Sequence, residues 1–222
     1  PTTDASASLW CFCLTEALWT YGGIVTNVGN SYQWLATTVA EAGGGDIDAA
    51  FNFLNRQAAT VSAGSDGLLF MPYLRKARSP YWDDKLRGTL YGLTPDHGYG
   101  HIARALLEAV AYDLKTIIRL MDKRITTTPE ILLTGGLSRS PIMPQLLADV
   151  LGRKIAVPEQ NEGSISGAAI LGFSGLGMLD DLMFKKDTPA CTHFKPNPDK
   201  VLQYQKYYQN YIRLVEALRS AD

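Results

Sequence analysis

A stripe of apolar residues at helical spacing places the strongest constraint on how this chain can fold. The stripe belongs to the longest periodic segment of the sequence and consists of Ile102, Ala105, Leu106, Ala109, Val110, Ile117, Leu120 and Met121. Residues at this spacing share one face, so the stripe predicts an amphipathic helix of about six turns. Glu108 and Asp113 interrupt the segment, and they either face solvent or bind a neighbouring loop.

Short strand-like segments alternate with helix-like segments on both sides of this helix. Strands are predicted at 9–14, 67–73, 130–134 and 154–157, and helices at 29–42, from 46, from 141, at 163–177 and at 199–219. The pair Gly22–Gly23 predicts a hairpin or a tight turn within 17–28. The alternation of strands and helices is typical of the α/β class.

Several residues mark the expected ends and faces of these elements. Asp46 suits the N-cap of the helix that follows it, Pro141 suits a first helical turn, and Gly152 suits the residue after that helix. The small residues of 163–177 allow this helix to pack closely against a neighbour. The expected core contacts of the last helix are Leu202, Tyr204, Tyr208, Tyr211 and Val215.

Composition excludes several classes of protein. Lys and Arg number 21 against 22 Asp and Glu, whereas nucleic-acid-binding proteins usually have a basic excess. Of the 222 residues, 46% are apolar, which is typical of a globular chain that buries a sizeable core. No apolar run reaches the length of a membrane span. The three cysteines match no zinc-ligand spacing, and we expect reduced thiols in a cytoplasmic protein.

A glycine turn between a predicted strand and a predicted helix is the strongest local signal of a binding site. Gly135 and Gly136 follow the strand, and Ser138 and Ser140 precede the helix. Glycine lets a ligand approach the backbone, and the start of a helix favours a phosphate or another anion. The same pattern also fits an ordinary strand-to-helix connection in which a serine caps the helix.

The start of the helix at 29–42 is a second candidate. Gly29 leaves room for a planar ligand, and Gln33 lies one turn later on the same face with both donors and acceptors. The spacing alone favours the other interpretation, an ordinary amphipathic helix that buries Trp34. Neither candidate reveals a reaction by itself, because the sequence contains no Walker-type loop, nucleophile elbow or dinucleotide fingerprint.

Other charged groups carry weaker signals. The basic cluster Arg75–Arg78 either contacts an anion or forms a solvated loop that Asp83 and Asp84 balance. The three histidines show no spacing typical of metal ligands. We therefore predict no metal site formed by the chain itself.

Several long segments resemble motifs of the FGGY family of carbohydrate kinases. Residues 88–93, followed by 101–108, resemble the second signature of that family. Residues 69–83 resemble its “LPYL…ERSPxWD” loop, 134–152 its adenosine segment, and 162–171 its final helix. The resemblance extends over about residues 9–215.

A shorter pattern near the start of the chain narrows the resemblance. The residues Phe12–Glu16, Trp19, Gly22–Gly23 and Asn27 are most similar to gluconate kinases, with xylulose kinases as the near alternative. The family implies transfer of the γ-phosphate of ATP to a hydroxyl of a sugar or sugar acid, with Mg²⁺ carried by the nucleotide phosphates. Two alternatives stay open: a non-catalytic nucleotide-binding or regulatory module, and another actin-like ATPase.

The resemblance also implies a fold and a domain organisation. It implies an α/β domain of the actin-like ATPase (ribonuclease H-like) type, with a mixed sheet and helices on both faces. We expect residues 1–222 to form the single C-terminal, nucleotide-side domain of a two-domain cytoplasmic kinase. The N-terminal domain would hold most of the sugar site and the catalytic base, so we expect no catalytic residue here. The implied partners are ATP or ADP and the sugar, without nucleic acid or membrane, and a homodimer is allowed.

The resemblance assigns five residues to the nucleotide. These residues are Gly29, Gln33, Gly135, Gly136 and Ser140. Gly29 and Gln33 match “GxxxQWL”, Gly136 matches the adenosine glycine, Gly135 supports its turn, and Ser140 stands where relatives often have Asn. Ala77 departs from the family pattern because it replaces the Glu of “ERSP”. That departure weakens the expectation that this loop binds substrate.

Overall fold

The computed structural model describes residues 8–16, 18–26, 28–124, 131–159, 163–179 and 190–221. The helices in these ranges are α1 (Val28–Gly43), α2 (Ile47–Thr60), α3 (Tyr99–Asp122), α4 (Met143–Leu151), α5 (Gly163–Gly175) and α6 (Pro198–Ser220). The strands are β1 (Trp10–Cys13), β2 (Trp19–Gly22), β3 (Leu69–Met71), β4 (Thr89–Tyr91), β5 (Ile131–Leu132), β6 (Ile155–Pro158) and β7 (Cys191–Phe194).

Helix α3 lies at the centre of the core. Its apolar stripe packs against α1, α2, α4, α6 and strand β3. Leu106, Val110 and Ile117 are buried, as the helical spacing predicts. The predicted long helix is therefore confirmed.

Two carboxylates of α3 lie inside this core rather than in solvent. Glu108 accepts hydrogen bonds from the backbone N–H of Gly64 (2.9 Å) and from the hydroxyl of Ser65 (3.0 Å). Asp113 accepts hydrogen bonds from the hydroxyls of Tyr73 (3.1 Å) and Tyr211 (2.9 Å). Because buried carboxylates need such donors, these bonds tie α3 to the loop before β3 and to α6.

The strands form three small sheets within the described ranges. β1 pairs with β2, and β3 pairs with β4, both antiparallel. β5 and β6 are parallel, whereas β6 and β7 are antiparallel, so the third sheet is mixed. Helix α4 packs against β6 and β7 of this sheet. The α/β class and the mixed sheet are thus confirmed.

The turn of the first hairpin lies earlier than the sequence predicts. Gly22 pairs with Trp10 inside the hairpin, so the Gly22–Gly23 pair does not form its turn. The chain reverses between Leu14 and Leu18, where the Leu14 N–H donates to the Leu18 carbonyl oxygen (2.8 Å). Thr15 helps to close this turn because its hydroxyl oxygen accepts from the Leu18 N–H (3.1 Å).

Helix α4 begins at Met143, so the predicted start at Pro141 is wrong. Residues 136–139 form a short 3-10 turn, and Ser140 is extended with φ −69° and ψ 132°. A residue before proline avoids the helical region, so Ser140 separates the two helical pieces. Gly152 ends α4 in the left-handed region (φ 66°), as predicted.

One expectation about packing is wrong, and one is not realised within this chain. The small residues of α5 allow close packing, but no residue of α5 is buried. Leu202 of α6 is 66% exposed, whereas Tyr204, Tyr208, Tyr211 and Val215 are buried as expected.

Asp46 caps α2 as predicted, since its Oδ1 accepts from the Ala49 N–H (2.9 Å).

Asn27 of the gluconate-kinase pattern lies outside the described residues, as do the first residues of the segments 17–28, 130–134 and 162–171.

Candidate functional site

One cleft brings the two predicted glycine segments together. It has a volume of about 500 Å³ and lies between the start of α1 and the turn before α4. Its lining residues are Val28, Gly29, Tyr32, Gln33, Phe51, Asn55, Leu107, Gly136, Leu137, Arg139 and Ser140. Four of the five predicted binding residues therefore share one surface, and Gly135 directly precedes it in the chain.

Two glycines leave open space on opposite sides of the cleft. A Cβ atom built at Gly29 or at Gly136 would meet no heavy atom within 4 Å. Packing within the described residues therefore does not require glycine at either position. A side chain at either position would instead occupy space that a ligand can use.

Gly135 has a different role, because its backbone requires glycine. Its φ is 76° and its ψ is −158°, a combination that side chains rarely adopt. Its carbonyl oxygen accepts from the Ser138 N–H (3.2 Å) and from the Ser138 hydroxyl (2.6 Å). These bonds close the 3-10 turn that presents Gly136 and Ser140 to the cleft.

The walls of the cleft are apolar and partly aromatic. Val28, Phe51, Leu107 and Leu137 line it. The ring of Phe51 stacks on Tyr32 with 5.8 Å between ring centroids and 24° between ring planes. A surface of this kind suits a flat aromatic ligand.

The polar groups of the cleft include Tyr32, Asn55 and Gln33, whose side chains can hydrogen-bond to a ligand. The Tyr32 hydroxyl donates to Asn55 Oδ1 (2.9 Å), and burial raises the pKa of Tyr32, so its hydroxyl remains a donor. The Asn55 amide nitrogen is then available as a donor group on the cleft lining. Gln33 is exposed at the rim, one turn after Gly29.

Ser140 connects the cleft to the start of α4. Its Oγ lies 3.4 Å from the Ile142 backbone nitrogen and 3.3 Å from that of Met143. These hydrogen bonds are long and therefore weak. Ser140 thus combines the two roles considered from sequence, since it contacts the helix start and also lines the cleft.

Sequence reasoning missed part of this lining. The residues that were not identified as lining residues include Tyr32, Phe51, Asn55, Leu107 and Arg139. Asn55 follows Phe51 by four residues on α2, so helical spacing places both on one face. Leu107 becomes part of the cleft only because α3 packs beside α1 and α2.

The residues that the structure describes contain neither a candidate metal site nor a candidate membrane span. In those ranges, no three His, Cys, Asp or Glu side chains are grouped so that they can hold a metal ion. Nor does any described helix combine the length and apolarity needed to cross a bilayer.

Comparisons with known proteins identify relatives of the chain. Residues 11–176 match the C-terminal domain of the FGGY family of carbohydrate kinases. A gluconokinase of Bacillus licheniformis is 34% identical over 229 residues, which cover 99% of this chain and 44% of that protein.

Two solved structures have the same fold. The gluconate kinase from Lactobacillus acidophilus superposes with a TM-score of 0.84 at 30% identity and covers 98% of this chain. The ligand-bound xylulose kinase from Lactobacillus acidophilus superposes with a TM-score of 0.85 at 29% identity and covers 99% of it. The chain spans 44% of each of these longer chains. The family match and these similarities show that the chain belongs to the FGGY family of carbohydrate kinases.

Proposed function

We propose that this chain is the ATP-binding part of a kinase that phosphorylates a hydroxyl of a sugar or sugar acid, with gluconate as the first candidate. The observation that carries the proposal is the shared cleft of Gly29, Gln33, Gly136 and Ser140. These residues come from two distant segments, and the family resemblance assigns all four to the nucleotide. The similarity to gluconokinases supports the choice of gluconate.

The shape of the cleft fits the adenosine part of ATP. Its volume of about 500 Å³ is within the range of small-molecule sites. The adenine ring would lie between the apolar walls, with the open faces of Gly29 and Gly136 against it. Gln33 and Asn55 would supply hydrogen bonds that fix its orientation.

ATP supplies the phosphoryl group for the proposed reaction. We expect Mg²⁺ to be held by the phosphate oxygens of the nucleotide, since this ion prefers oxygen ligands and usually binds substrate phosphates. The contribution of the chain's own residues is to hold and orient the adenosine. Positioning of this kind accounts for much of the catalysis of phosphoryl transfer.

We also propose that the complete enzyme has a second domain, which carries most of the sugar site and the catalytic base. The whole would have the actin-like ATPase fold, with helices on both faces of a larger mixed sheet. Support comes from apolar side chains that neighbouring structure would cover, such as Phe12 of β1 (56% exposed) and Leu132 of β5 (58% exposed). A cytoplasmic location and a homodimer stay predictions.

A xylulose kinase is the second candidate. The support for it is the xylulose kinase from Lactobacillus acidophilus, which superposes with a TM-score of 0.85. That score differs by only 0.01 from the TM-score of the gluconate kinase. Steady-state kinetics of the complete enzyme with gluconate, xylulose and glycerol distinguish the candidates. A higher kcat/KM for gluconate supports the first choice, and a higher value for xylulose supports the second.

Substitution of Gly136 tests the nucleotide site. In the complete enzyme, Gly136→Glu would place a large carboxylate in the cleft beside the proposed nucleotide. We expect the affinity for ATP, measured by calorimetry, to fall at least about tenfold. The control is Gly43→Glu at the end of α1, where a Cβ also meets no heavy atom within 4 Å. An ATP affinity that is equal in the two variants would refute the site.

The chain by itself tests the domain proposal. The purified 222-residue chain should release no ADP in response to gluconate or xylulose, because the catalytic base is proposed to lie outside it. Weak binding of ATP or ADP should persist, since the cleft is present. Sugar-dependent ADP release by this chain would contradict the proposed position of the base.

A further inference from the structure

A second cavity, which we call the α4-end cavity, lies where α3, the end of α4 and α6 meet. Its volume is about 750 Å³. Leu151 and Gly152 at the end of α4 line it, whereas Ser140, just before the start of α4, lines the proposed nucleotide cleft. A helix of nine residues is about 13 Å long. The two cavities therefore lie at opposite ends of α4, and the proposed function uses only the cleft.

Three cations line this cavity, and its described lining contains no acid. The cations are Lys115 and Arg119 of α3 and Lys206 of α6. Lys115 Nζ donates to the backbone carbonyl oxygen of Val150 (2.6 Å), which is a neutral acceptor. Within the part of the chain that the structure describes, none of the three cations forms an ion pair with a carboxylate. The positive charge of the cavity is therefore left for a ligand to neutralise.

Neighbouring acids are engaged elsewhere. Asp122, three residues after Arg119 on α3, forms an ion pair with Arg153. Asp149 of α4 accepts from the Asn197 backbone N–H (2.8 Å). Neither carboxylate lines the cavity. The three cations are thus the charged side chains of the described lining that an incoming ligand meets.

Lys115 and Arg119 lie close together over one aromatic ring. The centroid of the Tyr208 ring is 5.1 Å from Lys115 Nζ and 5.7 Å from Arg119 Cζ. Cation–π attraction of this kind holds both cations beside the ring. Burial and repulsion from Arg119 lower the pKa of Lys115. Because the two like charges are held together without a carboxylate, a bound anion would relieve their repulsion.

We propose that the α4-end cavity binds the phosphate group of a small molecule. A guanidinium group matches the geometry of phosphate oxygens, and two ammonium groups add charge from α3 and α6. Gln205 and Gln209 of α6 add amide donors to the same lining. Three cations fit a doubly charged phosphate better than a singly charged carboxylate. The volume accommodates inorganic phosphate or a phosphorylated organic molecule.

The first test uses inorganic phosphate and the 222-residue chain, without ATP or turnover. Its result is therefore independent of the proposed kinase function. Calorimetric titration is run at pH 7 and constant ionic strength, with sodium chloride as the balancing salt. We expect saturable binding with a Kd on the order of 1 mM. Heat no greater than that of a chloride titration would overturn the proposal.

Charge variants locate the bound phosphate. Arg119→Gln/Lys206→Gln removes two exposed cations of the lining and should weaken phosphate binding at least about tenfold. The control Arg56→Gln/Lys85→Gln removes two exposed cations outside the lining, so the net charge changes equally. The control should bind phosphate like the unaltered chain. Equal phosphate affinity in the two double variants would refute the site.

A carboxylate placed in the lining tests the role of charge. Gln205→Glu puts an acid among the three cations and should weaken phosphate binding at least about tenfold. The matched control Gln205→Ala removes the same amide without adding charge, and it should weaken binding by less than about threefold. Equal phosphate affinity in these two variants would contradict the proposal.

Two further ligands distinguish the source of the phosphate group. Inorganic phosphate is titrated again in saturating ADP and in saturating glucose 6-phosphate. If only glucose 6-phosphate competes, the cavity receives a phosphorylated sugar, and if ADP competes, it receives the phosphates of a nucleotide. If neither competes, the ligand is free phosphate. Each of these results supports a phosphate site, whereas the absence of phosphate binding in the first titration overturns it.

Discussion

The buried side of α3 and the proposed nucleotide cleft use glycine in opposite ways. Beside α3, a Cβ at Gly64 would lie 2.4 Å from the Tyr207 ring, and the Gly64 N–H binds Glu108. In the cleft, a Cβ at Gly136 would meet nothing within 4 Å. The first region is filled and internally bonded, whereas the second leaves space open. Substitutions should therefore affect folding in the first region and ligand binding in the second.

The largest expected effect is the loss of Glu108. This carboxylate is 2% exposed, and Gly64, Ser65, Arg104 and Tyr204 all donate to it. Glu108→Ala leaves Arg104 without the buried carboxylate that pairs with its charge, so the free energy of unfolding should fall by about 3–5 kcal/mol. Urea denaturation measures the change, with Glu41→Ala on the exposed face of α1 as control. Equal stability of the two variants would show that the network contributes little.

The next effect is a change in the pH dependence of stability. Burial raises the pKa of Asp113 to about 7 from an ordinary value of 3.8, although hydrogen bonds from Tyr211 and Tyr73 oppose the shift. The folded chain therefore retains a proton that the unfolded chain has lost between about pH 4 and pH 7. The contribution of this group is complete below that window and is lost as the pH rises through it.

Asp113→Asn should remove this dependence. The difference in unfolding free energy between the variant and the unaltered chain should change by up to about 1.4 kcal/mol per pH unit within the window. Urea denaturation at pH 5, 6, 7 and 8 measures this slope, with Asp96→Asn at an exposed position as control. A slope that matches the control would mean that Asp113 stays ionised in the fold.

The smallest expected effect compares two glycines directly. Gly64→Ala places a side chain at φ 85° and against the Tyr207 ring, and it should lower the free energy of unfolding by about 2 kcal/mol. Gly136→Ala should change it by less than about 0.5 kcal/mol, because its Cβ meets open space. Thermal denaturation of both variants provides the measurement. Similar melting temperatures for the two variants would contradict the difference between the filled region beside α3 and the open cleft.

Sequence predicted the long helices well because their apolar faces repeat over several turns. The α3 stripe and four of the five α6 contacts show this. Strands β4 and β7 were missed, since each is only three or four residues long and is defined by its partner strand. The glycine turn before α4 was predicted, but its 3-10 form at 136–139 was not, because a 3-10 turn has no strong periodic pattern.

The site was only partly predictable for a related reason. Gly29 and Gly136 are marked by their position near helix starts, which sequence alone reveals. That they share one cleft depends on how α1, α2 and α3 pack, and this arrangement has no local signal.

The exposure of α5 affects how this chain behaves as an isolated sample. The helix contains no charged residue, and Ile165 and Phe173 are 68% and 47% exposed. Leu176 and Met178, just after the helix, extend the apolar surface. Apolar patches of this kind promote self-association. Concentrated preparations should therefore aggregate unless a detergent or a covering segment shields this helix, and a charged substitution such as Ile165→Lys should improve solubility.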